Sequence, residues 1–404
     1  METTDCCIVG GGPAGALLAL LLARAGVGIT LLEAHADFNR EFRGDTIHPS
    51  TLELMDQLGL LERVLEIPHT RAETVTLRTP HGSKLYLDFR GLPSMYRYAL
   101  RLPQSRFLEL LTAEAARYPN FRLVMGARVE ELIESNREIH GVRYRGHDGV
   151  HEILAQLVVG ADGRYSKVRE LAGLARTRSA QPIDILWFRL PTSPADSPSD
   201  SGLYVGNGHY TFVRNRGDYW QIAYMLPKGS YQRLRTAGLP AARSSIDEVV
   251  PWLADRTGLL QEWSQTSLLS VESSRVCRWY RDGLLVIGDA AHVISPVAGV
   301  GINLAIQDAV VAANVLGSRL RKCGVRRQDL AAVQRRREWS TRAIQALQDL
   351  FLEYALGCGA RPTTPRMLAV WLVEHLPLLK SIRTRLFAFG GLWPERVTLL
   401  HGRP

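Results

Sequence analysis

The chain has 404 residues, of which 46% are hydrophobic and 22% are charged, as in an ordinary globular protein with a full core. Its 49 basic and 40 acidic residues give a net charge of +9, but the arginines are scattered along the chain. No basic run is interleaved with aromatic residues, which argues against a nucleic-acid partner. An anionic substrate or cofactor is an alternative explanation of the positive net charge.

The five cysteines show no CxxC or metal-binding spacing, which predicts reduced thiols and no bound metal. The N-terminal segment lacks the basic leader of a signal peptide. No apolar run is as long as the roughly 18 residues of a membrane-spanning helix. We therefore expect a cytoplasmic protein without a transmembrane segment.

The chain begins with a strand, a glycine-rich turn, a helix and a second strand. These are residues 5–9, the turn Gly10-x-Gly12-x-x-Gly15, residues 14–25, and residues 27–32 followed by Glu33. The glycines allow a tight turn, a close approach to a pyrophosphate and close packing of the helix. Free N–H groups at the helix N-terminus favour phosphate. The pattern predicts a dinucleotide site with Glu33 on a ribose, and by itself it does not distinguish NAD from FAD.

Helices and strands alternate in the next part of the chain. The predicted elements are a helix at 49–58, a hairpin at 74–78 and 84–87, a helix at 105–117, and strands at 129–133, 139–145, 150–155 and 157–163. We predict that residues 1–180 form a first domain, with a hairpin insertion at 72–100 that contributes to a second domain.

Short, aromatic-rich strand patterns begin at about residue 181 and predict an inserted β-sheet substrate domain at 181–280. A buried strand and a long helix then predict a return to the first domain at 281–345. A mostly helical pattern predicts a C-terminal helical region at 346–404.

Two more glycine–acid motifs follow buried strands. One contains Asp162-Gly163, and the other contains Gly288-Asp289, Pro296 and the turn at 299–303. An acid at the end of a strand can accept hydrogen bonds from a polyol. The N–H groups that open the helix at 301–303 can polarise an electron-rich carbonyl.

The three motifs in this order resemble those of the group A FAD-dependent monooxygenases, which have the para-hydroxybenzoate hydroxylase fold. The resemblance covers roughly residues 4–340. It implies an α/β protein with a three-layer, Rossmann-type FAD-binding domain, an inserted mixed β-sheet and a helical C-terminal region. It also implies an enzyme that binds FAD, uses NADPH or NADH as a transient reductant, and hydroxylates an electron-rich aromatic or polyketide-like molecule with dioxygen through a flavin hydroperoxide.

The resemblance also implies roles for individual residues. Those of the pyrophosphate turn and the adenosine ribose are Gly10, Gly12, Pro13, Ala14, Gly15 and Glu33. Those near other parts of FAD are Arg43, Arg101, Gln104, Val129, Asp162, Gly163, Gly288 and Asp289. Those against the flavin ring are Pro296, Gly299, Gly301, Ile302 and Asn303. Candidates for the phosphates of NADPH are Arg43, Arg164 and Arg169.

The substrate side is less determined. Phenols are often activated by a base, and His48 and His292 are candidates by residue type and by their place near the motifs. We take His48 and Pro296 as the catalytic candidates. The predicted pocket residues are Trp187, Tyr204, Phe212 and Tyr224, for which packing inside the sheet is the alternative.

Three other functions are alternatives for this sequence. A reductase or oxidase of a lipid-like or cyclic substrate uses the same fold. A flavin halogenase is disfavoured because residues 185–190 hold a single tryptophan where halogenases carry a Trp-x-Trp-x-Ile motif, and a non-catalytic flavin-binding module is disfavoured because all three motifs are intact. The apolar stretch at 367–389 leaves open helix packing, a dimer contact or peripheral membrane contact, so the chain is predicted to be a monomer or a homodimer.

Overall fold

The computed structural model describes residues 2–39, 45–79, 82–206, 209–322, 324–356 and 364–399. The helices are α1 (Pro13–Arg24), α2 (Pro49–Gln57), α3 (Leu61–Glu66), α4 (Gln104–Ala115), α5 (Lys167–Leu171), α6 (Tyr231–Ala237), α7 (Leu239–Val249), α8 (Gly301–Arg321), α9 (Arg327–Leu356), α10 (Thr364–His375) and α11 (Pro377–Phe389). The strands are β1 (Glu2–Val9), β2 (Ile29–Glu33), β3 (Thr46–Ile47), β4 (Thr70–Ala72), β5 (Thr74–Thr79), β6 (Gly82–Asp88), β7 (Ala99–Arg101), β8 (Phe121–Met125), β9 (Arg128–Ser135), β10 (Glu138–Gly146), β11 (Gly149–Gly160), β12 (Arg176–Pro191), β13 (Gly202–Gly206), β14 (His209–Asn215), β15 (Tyr219–Pro227), β16 (Ser267–Val276), β17 (Tyr280–Arg281), β18 (Leu284–Val286) and β19 (His292–Val293).

The first sheet is built on five parallel strands in the order β18-β11-β1-β2-β8. Strands β9 and β10 extend it as an antiparallel branch from β11. The C-terminal half of β1 is fully buried, which explains its unbroken apolar sequence Cys6-Cys7-Ile8-Val9.

Helix α1 packs against both α4 and α8 beside this sheet. Its residues 14–23 are all buried, so it needs apolar side chains on every face rather than an amphipathic pattern. Pro13 occupies the first turn, where its missing N–H costs no hydrogen bond.

The second sheet has the order β19-β16-β12-β15-β14-β13-β5-β6. The β5–β6 hairpin lies far from the other strands in sequence and joins the sheet through parallel pairing of Leu77 with Leu203. One face of this sheet packs against α7 in a core that contains Trp220, Tyr224 and Ile246. The opposite face is left for the cavity described below.

The C-terminal helices pack onto the rest of the protein. Helix α9 is continuous through the domain boundary predicted at 345/346. The Gln345 side chain donates to the Val293 carbonyl at 3.0 Å, and the Gln348 side chain donates to the Val297 carbonyl at 2.8 Å. Phe387 of α11 is fully buried beside Leu304. Helix α9 therefore belongs both to the region predicted at 281–345 and to the region predicted at 346–404.

Among the described residues, one segment, Val297–Arg321, is long and apolar enough to cross a membrane. However, 78% of its most apolar window is buried inside the protein, where α8 packs against α1 and α9. Its composition is explained by this central position.

Candidate functional site

The three glycine–acid motifs meet at one edge of the first sheet. They follow β1, β11 and β18, which are adjacent and parallel, so their carboxyl ends point the same way. The Ala161 N–H donates to the Val9 carbonyl at 2.7 Å, and the Ile287 N–H donates to the Gly160 carbonyl at 3.0 Å. This edge is where ligands of open α/β sheets bind.

The first turn requires glycine for two reasons. Gly10 has φ +104°, and a Cβ there would lie 2.4 Å from the Ala161 carbonyl oxygen. A Cβ on Gly15 would lie 1.9 Å from the Gly10 carbonyl oxygen, so the helix could not pack this close. A Cβ on Gly12 would have no neighbour within 4 Å. The space beside Gly12 and the N-terminus of α1 thus fits a diphosphate.

The acids of the first and third motifs differ in their burial and in their hydrogen bonds. Glu33 is buried and accepts hydrogen bonds from the Gly11 N–H at 2.8 Å and the His35 N–H at 3.0 Å, so it braces the glycine turn. Asp289 is half-buried at the end of β18. Its carboxylate accepts no hydrogen bond from the described residues and is available to a ligand.

The second motif is tied to the protein itself. Asp162 accepts hydrogen bonds from the Ser166 hydroxyl and, at 3.0 Å, from the Val168 N–H. Burial raises the pKa of Asp162, and these bonds offset the rise in part. Gly163 follows it with φ +82°. Asp162 therefore stabilises the start of α5.

Arg169 is buried rather than placed on the surface for a phosphate. Its guanidinium donates to the Ala290 and Arg164 carbonyls, each at 3.0 Å. It therefore connects the second motif to the third. Arg164 is half-buried.

Asn303 connects the third motif to the chain around His48. Its Oδ1 accepts from the His48 N–H at 3.0 Å and from the Thr51 hydroxyl at 2.8 Å. It lies in the first turn of α8, after Gly301 and Ile302 and after a turn in which Gly299 has φ +63°. The side-chain oxygen of Asn303 is therefore occupied by hydrogen bonds from His48 and Thr51.

The remaining predicted cofactor residues lie on separate elements. Gln104 begins α4 and is half-buried. Val129 is buried in β9, close to Ala127, whose N–H donates to the Glu33 carbonyl at 2.8 Å. Arg43 lies outside the described residues. Arg101 lines the cavity rather than the sheet edge.

A cavity of about 860 Å³, counted with its open mouth, lies between the second sheet and the turn at Pro296. The apolar lining includes Val75, Leu77, Phe89, Ile185, Leu203, Met225, Val297 and Phe351. The polar lining includes Thr46, His48, Arg101 and Arg214.

Strand alternation decides which aromatic residues reach the cavity. Trp187, Ala223 and Phe212 are in register on neighbouring strands, and all three line it. Tyr204 and Tyr224 lie on the opposite face, in the core against α7. The Tyr204 hydroxyl accepts from the Trp252 indole there at 3.0 Å. Of the four predicted pocket residues, the structure brings Trp187 and Phe212 together.

His48 lies in the cavity wall and is 1% exposed. Neither ring nitrogen makes a hydrogen bond of good geometry with the described residues, and the backbones of Ala298 and Phe387 are its nearest hydrogen-bonding groups. Burial lowers the pKa of His48 to about 4, and the nearby backbone of Ala298 and Phe387 opposes this only in part. The imidazole is therefore neutral at pH 7, with one nitrogen able to accept a proton.

His48→Gln is expected to make the protein more resistant to acid. An unfolded histidine has a pKa near 6.5, so wild type loses stability progressively below that value, by about 3 kcal/mol at pH 4. Urea unfolding at pH 7 and pH 4 measures the difference. His147→Gln, an exposed histidine replaced in the same way, is the control. Equal losses in wild type and His48→Gln would contradict burial of a neutral imidazole.

Sequence reasoning did not identify a buried network around Asp308. Asp308 accepts from the Gly288 N–H at 3.0 Å, from His292 Nε2 at 2.6 Å and from Arg337 Nε at 2.8 Å. Burial favours a raised pKa for Asp308, but His292 and Arg337 outweigh it and hold the pKa below its usual range. His292 is thus engaged away from the cavity. An acid inside the apolar helix α8 was the available clue.

Two arginines, Arg214 in β14 and Arg216 just after this strand, were also missed. Asp45 forms ion pairs with Arg214 and Arg216 near the cavity. Arg214 lies two residues after Phe212 and therefore shares its face of the strand. Choosing Phe212 from the sequence should have led to Arg214 as well.

Comparison with known proteins settles the family. A family model described as an FAD binding domain matches residues 3–346. The chain is 36% identical over 389 residues to 6-methylpretetramide 4-monooxygenase of Streptomyces rimosus, covering 96% of this chain and 92% of that protein. The chain belongs to the group A FAD-dependent monooxygenases. Its cofactor is FAD, its reductant is NAD(P)H, and it acts on a small molecule with dioxygen.

Two further similarities place the monooxygenase among its relatives. It is 29% identical to 12-dehydrotetracycline 5-monooxygenase/anhydrotetracycline 6-monooxygenase of Streptomyces rimosus, over 76% of this chain and 61% of that protein. The myxobacterial chondrochloren halogenase CndH has the same fold, with a TM-score of 0.79 at 19% identity, over 96% of this chain and 98% of that chain. The predicted fold class is confirmed, and fold alone does not separate hydroxylases from halogenases.

Proposed function

We propose that this monooxygenase hydroxylates a polycyclic, electron-rich aromatic compound of the polyketide type, held in the cavity between the second sheet and Pro296. The observation that carries the proposal is the pairing of an apolar cavity with the buried, neutral imidazole of His48 in its wall. The names of two relatives, which act on tetracyclic compounds, support the substrate class.

FAD would be held along the sheet edge, and when bound it supplies the activation of dioxygen. Gly12 and the N-terminus of α1 would bind the pyrophosphate, and Asp289 would accept hydrogen bonds from the ribityl chain. The turn at Pro296 and Gly299 would face the flavin ring. These roles are supported by the open space at Gly12 and the unengaged Asp289 carboxylate.

Three features of the chain would assist the reaction. The apolar lining excludes water from the reacting groups. His48 would accept a hydrogen bond from a substrate hydroxyl at whichever ring nitrogen is unprotonated, which orients the hydroxyl and polarises its O–H bond so that the ring carbon becomes more electron-rich. Trp187 and Phe212 would lie against the flat substrate. A cytoplasmic location and a monomeric or homodimeric state complete the proposal.

In the experiment, the FAD-loaded protein is incubated with NADPH, ¹⁸O₂ and tetracyclic phenols, including 6-methylpretetramide. The masses of the products are then measured by mass spectrometry. A product carrying one ¹⁸O atom supports the proposal. A change of two hydrogens without oxygen would instead indicate a reductase or oxidase, and a halide-dependent mass gain would indicate a halogenase.

Asp289→Ala is expected to weaken FAD binding by roughly ten- to hundredfold, because a hydrogen bond to a charged group contributes about 1.5–3 kcal/mol. Titration of apoprotein with FAD, followed by flavin fluorescence, measures the constant. Asp282→Ala, at the opposite end of β18, is the control and should bind FAD normally. Unchanged FAD affinity in Asp289→Ala would remove this residue from the site.

A further inference from the structure

A cluster of buried charge adjoins the polar end of the cavity. Asp45 is 2% exposed, and its carboxylate is shared by Arg214 and Arg216, whose side chains are 12% and 13% exposed. Arg101 lies close enough to interact electrostatically with all three. The four residues bring together three positive charges and one negative charge, so the cluster carries an excess of positive charge.

Arg101 is the least compensated member. It ends β7, where it pairs with Thr46 of β3, and its side chain lines the cavity. Its side chain makes no hydrogen bond or salt bridge with any residue that the structure describes. Burial, followed by the neighbouring Arg214, lowers the pKa of Arg101 to about 9, and Asp45 compensates only in part. The guanidinium is still mostly protonated at pH 7.5.

Arg214 of β14 lines the same cavity. It lines the cavity beyond Phe212, and its Nε is buried without a hydrogen-bond partner. Since Asp45 is shared with Arg216, Arg214 is only partly neutralised. Buried cations without full compensation are costly, and an anion in the cavity would relieve that cost.

We propose that Arg101 and Arg214 form an anion-binding subsite of the cavity, and that the substrate is an aromatic compound bearing an anionic oxygen group that docks there. The group is a carboxylate or an acidic, ionised hydroxyl, since planar guanidinium groups match such oxygens well. The apolar walls take the rings, so the charged end fixes which ring reaches Pro296 and His48. This inference rests on the proposed function and adds the substrate's charge and orientation.

The test uses two flat ligands of nearly equal shape, anthraquinone-2-carboxylate and anthraquinone-2-carboxamide. Each is titrated into FAD-loaded protein at pH 7.5 while the visible spectrum of the flavin is recorded. We expect wild type to bind the carboxylate at least tenfold more tightly than the amide. Arg101→Met and Arg214→Met should each remove most of this preference while leaving the affinity for the amide within about threefold.

Arg101→Met is the cleaner variant, because it breaks no ion pair among the described residues. Arg101→Lys should restore part of the preference by restoring charge. The matched control is Arg189→Met, since Arg189 lies exposed on β12 of the same sheet and should keep the full preference.

Three outcomes would overturn the inference. Equal affinity of wild type for the two ligands would remove the anion subsite and leave the aromatic site standing. An intact preference in both variants, with a shifted flavin midpoint potential, would show that the arginines serve the cofactor instead. Failure of both ligands to perturb the flavin of a fully loaded protein would overturn the aromatic site and the subsite together.

Discussion

Asp308→Ala is expected to lower the free energy of unfolding by about 3–5 kcal/mol, because it leaves the Arg337 charge buried without a counter-charge. Asp308 and Arg337 are 0% and 3% exposed, and Asp308 also accepts the Gly288 N–H. Urea unfolding at pH 7 measures the change. The same variant should lose FAD, since Gly288 precedes Asp289 in the third motif.

Two comparisons make this prediction specific. Asp308→Leu combined with Arg337→Leu should recover part of the lost stability, because both charges are then absent. Glu109→Ala removes an exposed pair with Arg106 and should cost less than about 1 kcal/mol. If Asp308→Ala costs no more than Glu109→Ala, the buried network does not support the fold.

The contribution of Asp308 to the free energy of unfolding is expected to fall as the pH falls. The pKa of Asp308 is held below its usual range in the folded protein. Its contribution to stability is therefore fully present above the pKa of an unfolded aspartate and is lost as the pH falls through the lower folded value. The acid sensitivities from Asp308 and His48 thus act in the same direction.

Gly12→Ala is expected to reduce FAD affinity by roughly five- to 150-fold while leaving the apoprotein as stable as wild type. Gly12 has φ −69°, which alanine adopts readily, and the new methyl group would meet no protein atom within 4 Å. The space it fills is the space proposed for the pyrophosphate, where an added methyl group costs about 1–3 kcal/mol.

The measurements are FAD titration of apoprotein and thermal unfolding in the absence of FAD. Gly258→Ala is the matched control, since it has equally open surroundings in a different part of the fold. Gly15→Ala should behave differently and destabilise the apoprotein, because its Cβ would overlap the Gly10 carbonyl. Normal FAD binding by Gly12→Ala would show that the pyrophosphate lies elsewhere.

Much of the fold and cofactor was predictable because the requirements are local. A phosphate-binding turn needs Gly10, Gly12 and Gly15 at a fixed spacing, whatever the rest of the chain does. FAD as the cofactor, the monooxygenase activity and the fold class are confirmed by the family match. The assignment of individual residues to parts of FAD stays a prediction.

The choice among aromatic residues was not accessible from the sequence. Phe212 and Tyr224 both lie in alternating, aromatic-rich strands, and alternation tells which residues share a face but not which face meets the cavity. That choice depends on α7 covering one side of the sheet. For the same reason Tyr204 is packed in the core.

The sequence by itself determined the dinucleotide-binding turn, because a short motif specifies backbone geometry within a few residues, and its resemblance to the group A FAD-dependent monooxygenases implied FAD and the class of chemistry. Only the tertiary structure decided the character of the substrate site. Arg101 and Arg214 come from β7 and β14, and His48 is positioned through Asn303 of α8. Their convergence depends on pairing and packing between distant segments, which no local spacing encodes.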